Sequence, residues 1–86
     1  MKHIRFNIIL RAEPEGGFTV VVPSLPGCVT YGRNLREAKA MAQDAIGGYV
    51  LSLKKHGESI PSDMENFVTT IDVMEKRKSL KKAVYA

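Results

Sequence analysis

One cysteine, two histidines and nine carboxylates are the residues of this chain that would most readily do nucleophilic or acid–base chemistry. A cysteine nucleophile would need Cys28 turned toward His3 or His56 as its base. Nothing in their spacing arranges that, and a lone cysteine in a strand is most often a small buried hydrophobe. A metal site would need ligands at short, regular intervals, but His3 and His56 fall on different elements and Cys28 stands alone. No HExxH, CxxC or phosphate-binding glycine loop is present. Glu13, Glu15, Glu58 and Asp63 sit in turn-like sequence, Glu37 and Asp44 in a helical pattern, and Asp72 in a strand-like run. No two of them are spaced as an acid–base pair. The expectation is a protein that is not an enzyme, with no catalytic residues, no metal and no cofactor.

The remaining chemistry is charge. Residues 1–73 hold eight Lys/Arg against eight Asp/Glu, whereas residues 74–86 hold five basic residues against Glu75 alone. The formal net charge of +4 is therefore carried by Lys76, Arg77, Lys78, Lys81 and Lys82. Such a tail either attracts phosphate or an acidic partner, or stays a solvated end. Contact with nucleic acid through it would be weak, non-specific and salt-sensitive. The sequence divides accordingly into a domain over 1–74 and a basic tail over 75–86.

Eighty-six residues make one small domain, and 44% hydrophobic with 26% charged residues is ordinary for a globular chain. No apolar run approaches the roughly 18 residues that span a bilayer. The basic start is followed by apolar sequence broken by Arg5, Asn7 and Arg11, unlike a signal peptide. With a single cysteine, these features point to the cytoplasm and to no membrane partner.

The elements that must position these residues read clearly. Ile4, Phe6, Ile8 and Leu10 alternate with polar positions, predicting a strand over 4–11. Glu13-Pro14-Glu15-Gly16-Gly17 is a hairpin turn, and a second strand spans 18–23. Pro23 ends its ladder, Ser24-Leu25-Pro26-Gly27 is a fixed turn in which Leu25 should plug the sheet edge, and 28–31 is a short third strand closed by Gly32. Asn34, with Glu37 three positions on, is the N-cap of a helix over 35–56, and Gly57 is its C′ residue. Gly47-Gly48 inside it implies either close approach of another backbone or a tolerated weak spot. Alternation over 66–73 predicts a fourth strand.

The fold class is α+β, with order β-β-β-α-β in one domain. A meander places strands 1, 2 and 3 together, and a helical crossover brings strand 4 parallel to strand 1, giving sheet order 3-2-1-4. One helix covers one face. Ile9, Val21 and Val68 on the other are too apolar to leave in water, so a homodimer or higher oligomer, or a partner, should cover them. Gly47 and Gly48 are further candidates for that contact.

Val22, Pro23, Leu25, Pro26, Gly27, Cys28, Gly32, Leu35, Glu37, Ala38, Ala42, Ala45, Ile46, Tyr49, Gly57, Glu58 and Pro61 together resemble the hallmark of HicB-like antitoxins, over about residues 4–73. The match departs at Ser24, where that family usually has Asp. The resemblance implies a trimmed RNase H-like fold without catalytic carboxylates, and a non-enzymatic role in binding and neutralising a HicA-type toxin that cleaves mRNA. It also implies that Pro23, Leu25, Pro26, Gly27, Cys28 and Gly32 are structural. Many such proteins carry a C-terminal DNA-binding domain, and thirteen residues after the fourth strand are too few for one. The alternatives are an orphan domain that binds nucleic acid through the tail, or a structural or ligand-binding protein.

Overall fold

Ile9–Ala12 (β1), Phe18–Val21 (β2) and Val29–Gly32 (β3) pair antiparallel in the order β1-β2-β3, and Leu35–Lys55 (α1) packs across the sheet. This computed structural model describes residues 3–75. The first hairpin closes where Glu13 N donates to the Gly17 carbonyl at 3.0 Å and Gly16 N donates to Glu13 at 2.9 Å.

β1 is shorter than the alternation over 4–11 predicts. Its register pairs Ile9 with Val21 and Ala12 with Phe18. Continued backward, that register would set Asn7 opposite Pro23, which has no N–H to give. Val22 instead donates to the Cys28 carbonyl at 3.1 Å as the chain turns away. Residues 4–8 thus lose their ladder, although Phe6 and Ile8 still pack beneath the helix.

The helix begins and ends where its capping residues place it. Asn34 Oδ1 accepts from Glu37 N at 2.8 Å, satisfying one free amide of the first turn. The Glu37 carboxylate reaches back one residue further than in the usual capping box, taking Arg33 N at 2.7 Å and the Arg33 side chain at 3.0 Å. At the other end Gly57 N bonds the Lys54 carbonyl and Glu58 N bonds the Leu53 carbonyl, a Schellman closure.

Two buried clusters join helix to sheet. Val20, Ala38 and Ala42 form one, flanked by Ile8, Leu10 and Phe18. Val22, Leu25 and Cys28 form the other, flanked by Phe6, Ala45, Ile46, Tyr49 and Leu53. Small helix residues face the sheet centre, so α1 sits close. Gly32 permits that approach, because a β-carbon there would overlap the Ala38 amide and Cα.

The predicted fourth strand forms no ladder. Residues 66–73 are exposed and without regular structure. Phe67, Ile71 and Val73 are 81%, 78% and 80% exposed, so order 3-2-1-4 is reduced to its first three members within one chain. Alternation specifies which faces a strand would present, but not that a free edge is within its reach.

Candidate functional site

The loop between β2 and β3 is built from its proline and glycine positions inward. Leu25 N bonds the Val22 carbonyl at 3.0 Å and Cys28 N bonds the Leu25 carbonyl at 2.9 Å. Gly27 takes φ +82°, a conformation that costs a side-chain-bearing residue free energy. Leu25, 1% exposed, is buried rather than left in solvent, packed with Val22 and Cys28 at the ends of the strands. It drives under the second half of α1, and Tyr49 ties the loop down by donating from its hydroxyl to the Pro26 carbonyl at 2.8 Å. Cys28 packs beside Leu25, and burial pushes its thiol up, away from the thiolate a nucleophile needs. Pro23 and Pro26 are exposed at the loop's surface.

Asp63 is the residue whose place the sequence did not reveal. Read as a turn carboxylate, it is buried. Its Oδ1 accepts from the Ser24 hydroxyl at 2.7 Å and from Asn66 Nδ2 at 2.9 Å, and its Oδ2 accepts from Asn7 N at 2.9 Å. It thereby joins three distant segments. No periodicity marks such a residue. The one signal was Ser24 itself, a hydroxyl donor where an aspartate would have set a second carboxylate against this one. The hydrogen bonds from Asn66, Asn7 and Ser24 hold the Asp63 carboxyl below the usual range. A depressed folded-state pKa stabilises above the unfolded value of about 3.9, and that stabilisation is lost as pH falls through the folded value. Thermal melts of the native chain should therefore drop on acidification below about pH 4 more steeply than those of Asp63→Asn, which should already melt lower at neutral pH.

The open face of the sheet is the candidate binding surface. The register aligns Ile9 with Val21 and Val21 with Val29, so three β-branched side chains make one row across all three strands. They are 48%, 40% and 56% exposed. Val29 was not among the residues singled out from sequence, because the third strand was too short for its alternation to be read. Val68, which was, lies outside the sheet and is 61% exposed. The neighbouring row, Arg11, Thr19 and Tyr31, is polar. There Glu13 accepts from the Thr19 hydroxyl at 2.5 Å and from Arg11 Nε at 3.1 Å, contacts that lower its carboxyl pKa in that order. Tyr31 donates to the Gly16 carbonyl at 2.9 Å. An apolar band beside fixed polar groups is the composition of a protein-binding surface.

Gly47 and Gly48 do not bring α1 against its own sheet. They are exposed on the outer side of the helix, with nothing within 4 Å of a β-carbon built at either. They line a shallow depression with Ala40, Asp44 and Leu51. Lys76, Arg77, Lys78, Lys81 and Lys82 lie outside the described residues. Among the described residues, no three His, Cys, Asp or Glu side chains converge as they would around a metal, and no helix is long and apolar enough to cross a membrane.

Residues 6–86 match the family model described as HicB-like antitoxin of bacterial toxin-antitoxin system. The chain is 39% identical over 66 residues to the UPF0150 protein Ta0767 of Thermoplasma acidophilum, covering 77% of this chain and 96% of that protein. It is 38% identical over 55 residues to a UPF0150 protein of Archaeoglobus fulgidus, covering 64% of this chain and 78% of that one.

Proposed function

This chain belongs to the HicB-like antitoxin family, and from that premise we propose that it is a non-enzymatic cytoplasmic antitoxin that binds and neutralises a HicA-type, mRNA-cleaving toxin. The observation that carries the reading is the half-exposed row Ile9–Val21–Val29 on the face that α1 leaves open. Burying such a row recovers roughly 25 cal/mol per Å² of apolar surface, and a protein partner is the means by which a small domain does so. In this reading residues 1–74 form the binding domain, and residues 75–86 form a basic tail whose contact with nucleic acid is weak and non-specific. The assembled protein is a homodimer or higher oligomer. Its sheet, completed by residues 66–73 to the order 3-2-1-4, resembles a trimmed RNase H-like fold.

Co-expression with the product of an adjacent gene for a small basic protein tests this. The expected result is growth arrest by that protein alone, relieved by the native chain. Val21→Asp/Val29→Asp should fail to relieve it while keeping the native circular dichroism spectrum, since both side chains already meet solvent. Relief by the double variant would remove the open face from the contact. Absence of relief by the native chain would overturn the antitoxin reading.

A further inference from the structure

The chain carries both halves of a joint that it does not close by itself. One half is the outer edge of β1. In a three-stranded sheet of order β1-β2-β3, β1 pairs on one side only. Beside it, Ile4, Phe6 and Ile8 line a mainly apolar groove of about 390 Å³ with Ala42 and Ile46 of α1, rimmed by Lys39 and Gln43. The other half is the segment over residues 67–75. Its apolar residues Phe67, Ile71 and Val73 recur at strand parity and are 78% exposed or more, as is Met74. An unpaired edge and an unpaired strand-like segment are each costly to leave open.

The segment is also delivered in the correct direction. Asp63 N bonds the Arg5 carbonyl at 2.7 Å, and Asn7 Nδ2 bonds the Asn66 carbonyl at 3.1 Å. The chain thus runs parallel to residues 5–7 along the open side of that segment. The turn then closes, with Asn66 N on the Asp63 carbonyl at 3.1 Å and the buried Asp63 carboxylate bonded to Ser24, Asn7 and Asn66. This anchoring fixes the exit of the segment. Beyond Asn66, no backbone hydrogen bond among the described residues returns it to β1.

We infer that residues 67–75 are an exchange arm that adds as a strand to the β1 edge of a second copy, filling its Ile4–Phe6–Ile8 groove, while the second copy's arm does the same in return. The occupant is a second copy because edge and arm are both present on one chain and are complementary in kind. A reciprocal exchange about a two-fold axis closes with no edge or arm left over. The turn pinned by Asp63 is the hinge from which the arm departs. This deepens the self-association within the proposed function and is independent of any toxin.

Light scattering on the full chain at micromolar concentration should read twice the 9.5 kDa of one chain. Ile71→Asp/Val73→Asp should halve that mass and leave the secondary structure intact, because both side chains are free in the isolated domain. A native mass of 9.5 kDa would overturn both exchange and self-association. A double variant that stays dimeric would overturn the exchange and leave self-association standing. As a direct probe, Arg11→Cys and Thr70→Cys chains with different tags would be co-expressed and treated with a short bis-maleimide. A covalent heterodimer, absent from either variant alone, is expected. Failure to form it, or an intramolecular link in the Arg11→Cys/Thr70→Cys chain instead, would also overturn the exchange. Neutralisation of a toxin is read separately and is not a condition of either outcome.

Discussion

Gly32→Ala is expected to destabilise the domain by about 3 kcal/mol or more, although it adds a single methyl group. Gly32 ends β3 and is buried under the first turn of α1. A β-carbon there would overlap the backbone of Glu37 and Ala38. Backbone atoms in a capped helix cannot rotate aside as a side chain can, so relief requires lifting the whole N-terminal turn. That would separate Ala38 and Ala42 from Val20, one of the two clusters joining helix to sheet. It would also disturb the cap, where Asn34 and Glu37 hold the chain that leaves Gly32. Urea denaturation followed by circular dichroism checks this, with Gly47→Ala as the comparison. Gly47 is exposed, helical and open on its β-carbon side, so alanine there should leave stability unchanged or raise it by up to about 1 kcal/mol. A Gly32→Ala protein as stable as the native chain would mean that α1 does not press on the sheet at this point.

Leu25→Ala should cost about 2–5 kcal/mol, within the range for emptying a fully buried leucine site. Leu25 is among the largest wholly buried side chains. It belongs to a loop yet anchors a core cluster, surrounded by Val22, Cys28, Phe6, Ile46, Tyr49 and Leu53. The site is poorly placed to collapse, because the loop is hydrogen-bonded across its neck and tied to α1 through Tyr49. A domain of this size has a total stability of roughly 4–13 kcal/mol, so the loss is a large share of it. Leu25→Met, which keeps volume, should cost less than about 1.5 kcal/mol. Thermal melts of the two variants beside the native chain decide this, and equal losses for Ala and Met would show that shape, not volume, governs the site.

The helix was the most legible part of the chain. Its limits followed from Asn34, Glu37 and Gly57, which act through local hydrogen bonds and need no knowledge of the rest of the fold. The hairpin was legible for the same reason. What alternation could not reveal was pairing. It extended β1 back to residue 4, past Asn7, where Pro23 leaves no donor opposite, and it made a strand of residues 66–73, which pair with no strand among the described residues. The open face of the sheet was half legible. Ile9 and Val21 lie on it, but Val29 joins them only through the register, and Val68 does not join them at all. Asp63 was illegible because its role depends on Ser24 and Asn7, which are brought to it from 39 and 56 positions away.

The order of the contacts has a kinetic consequence. β1, β2, β3 and α1 each pack against a neighbour in sequence, across connections of a few residues. Loop closures that short cost little entropy, so the three strands and the helix assemble at the fast end of the range for small mixed domains. Only the last stretch before residue 75 is left waiting at the end of that process. In the exchange proposed above, its pairing is a collision between molecules, and its rate is set by how many copies the cell holds rather than by the chain's own search.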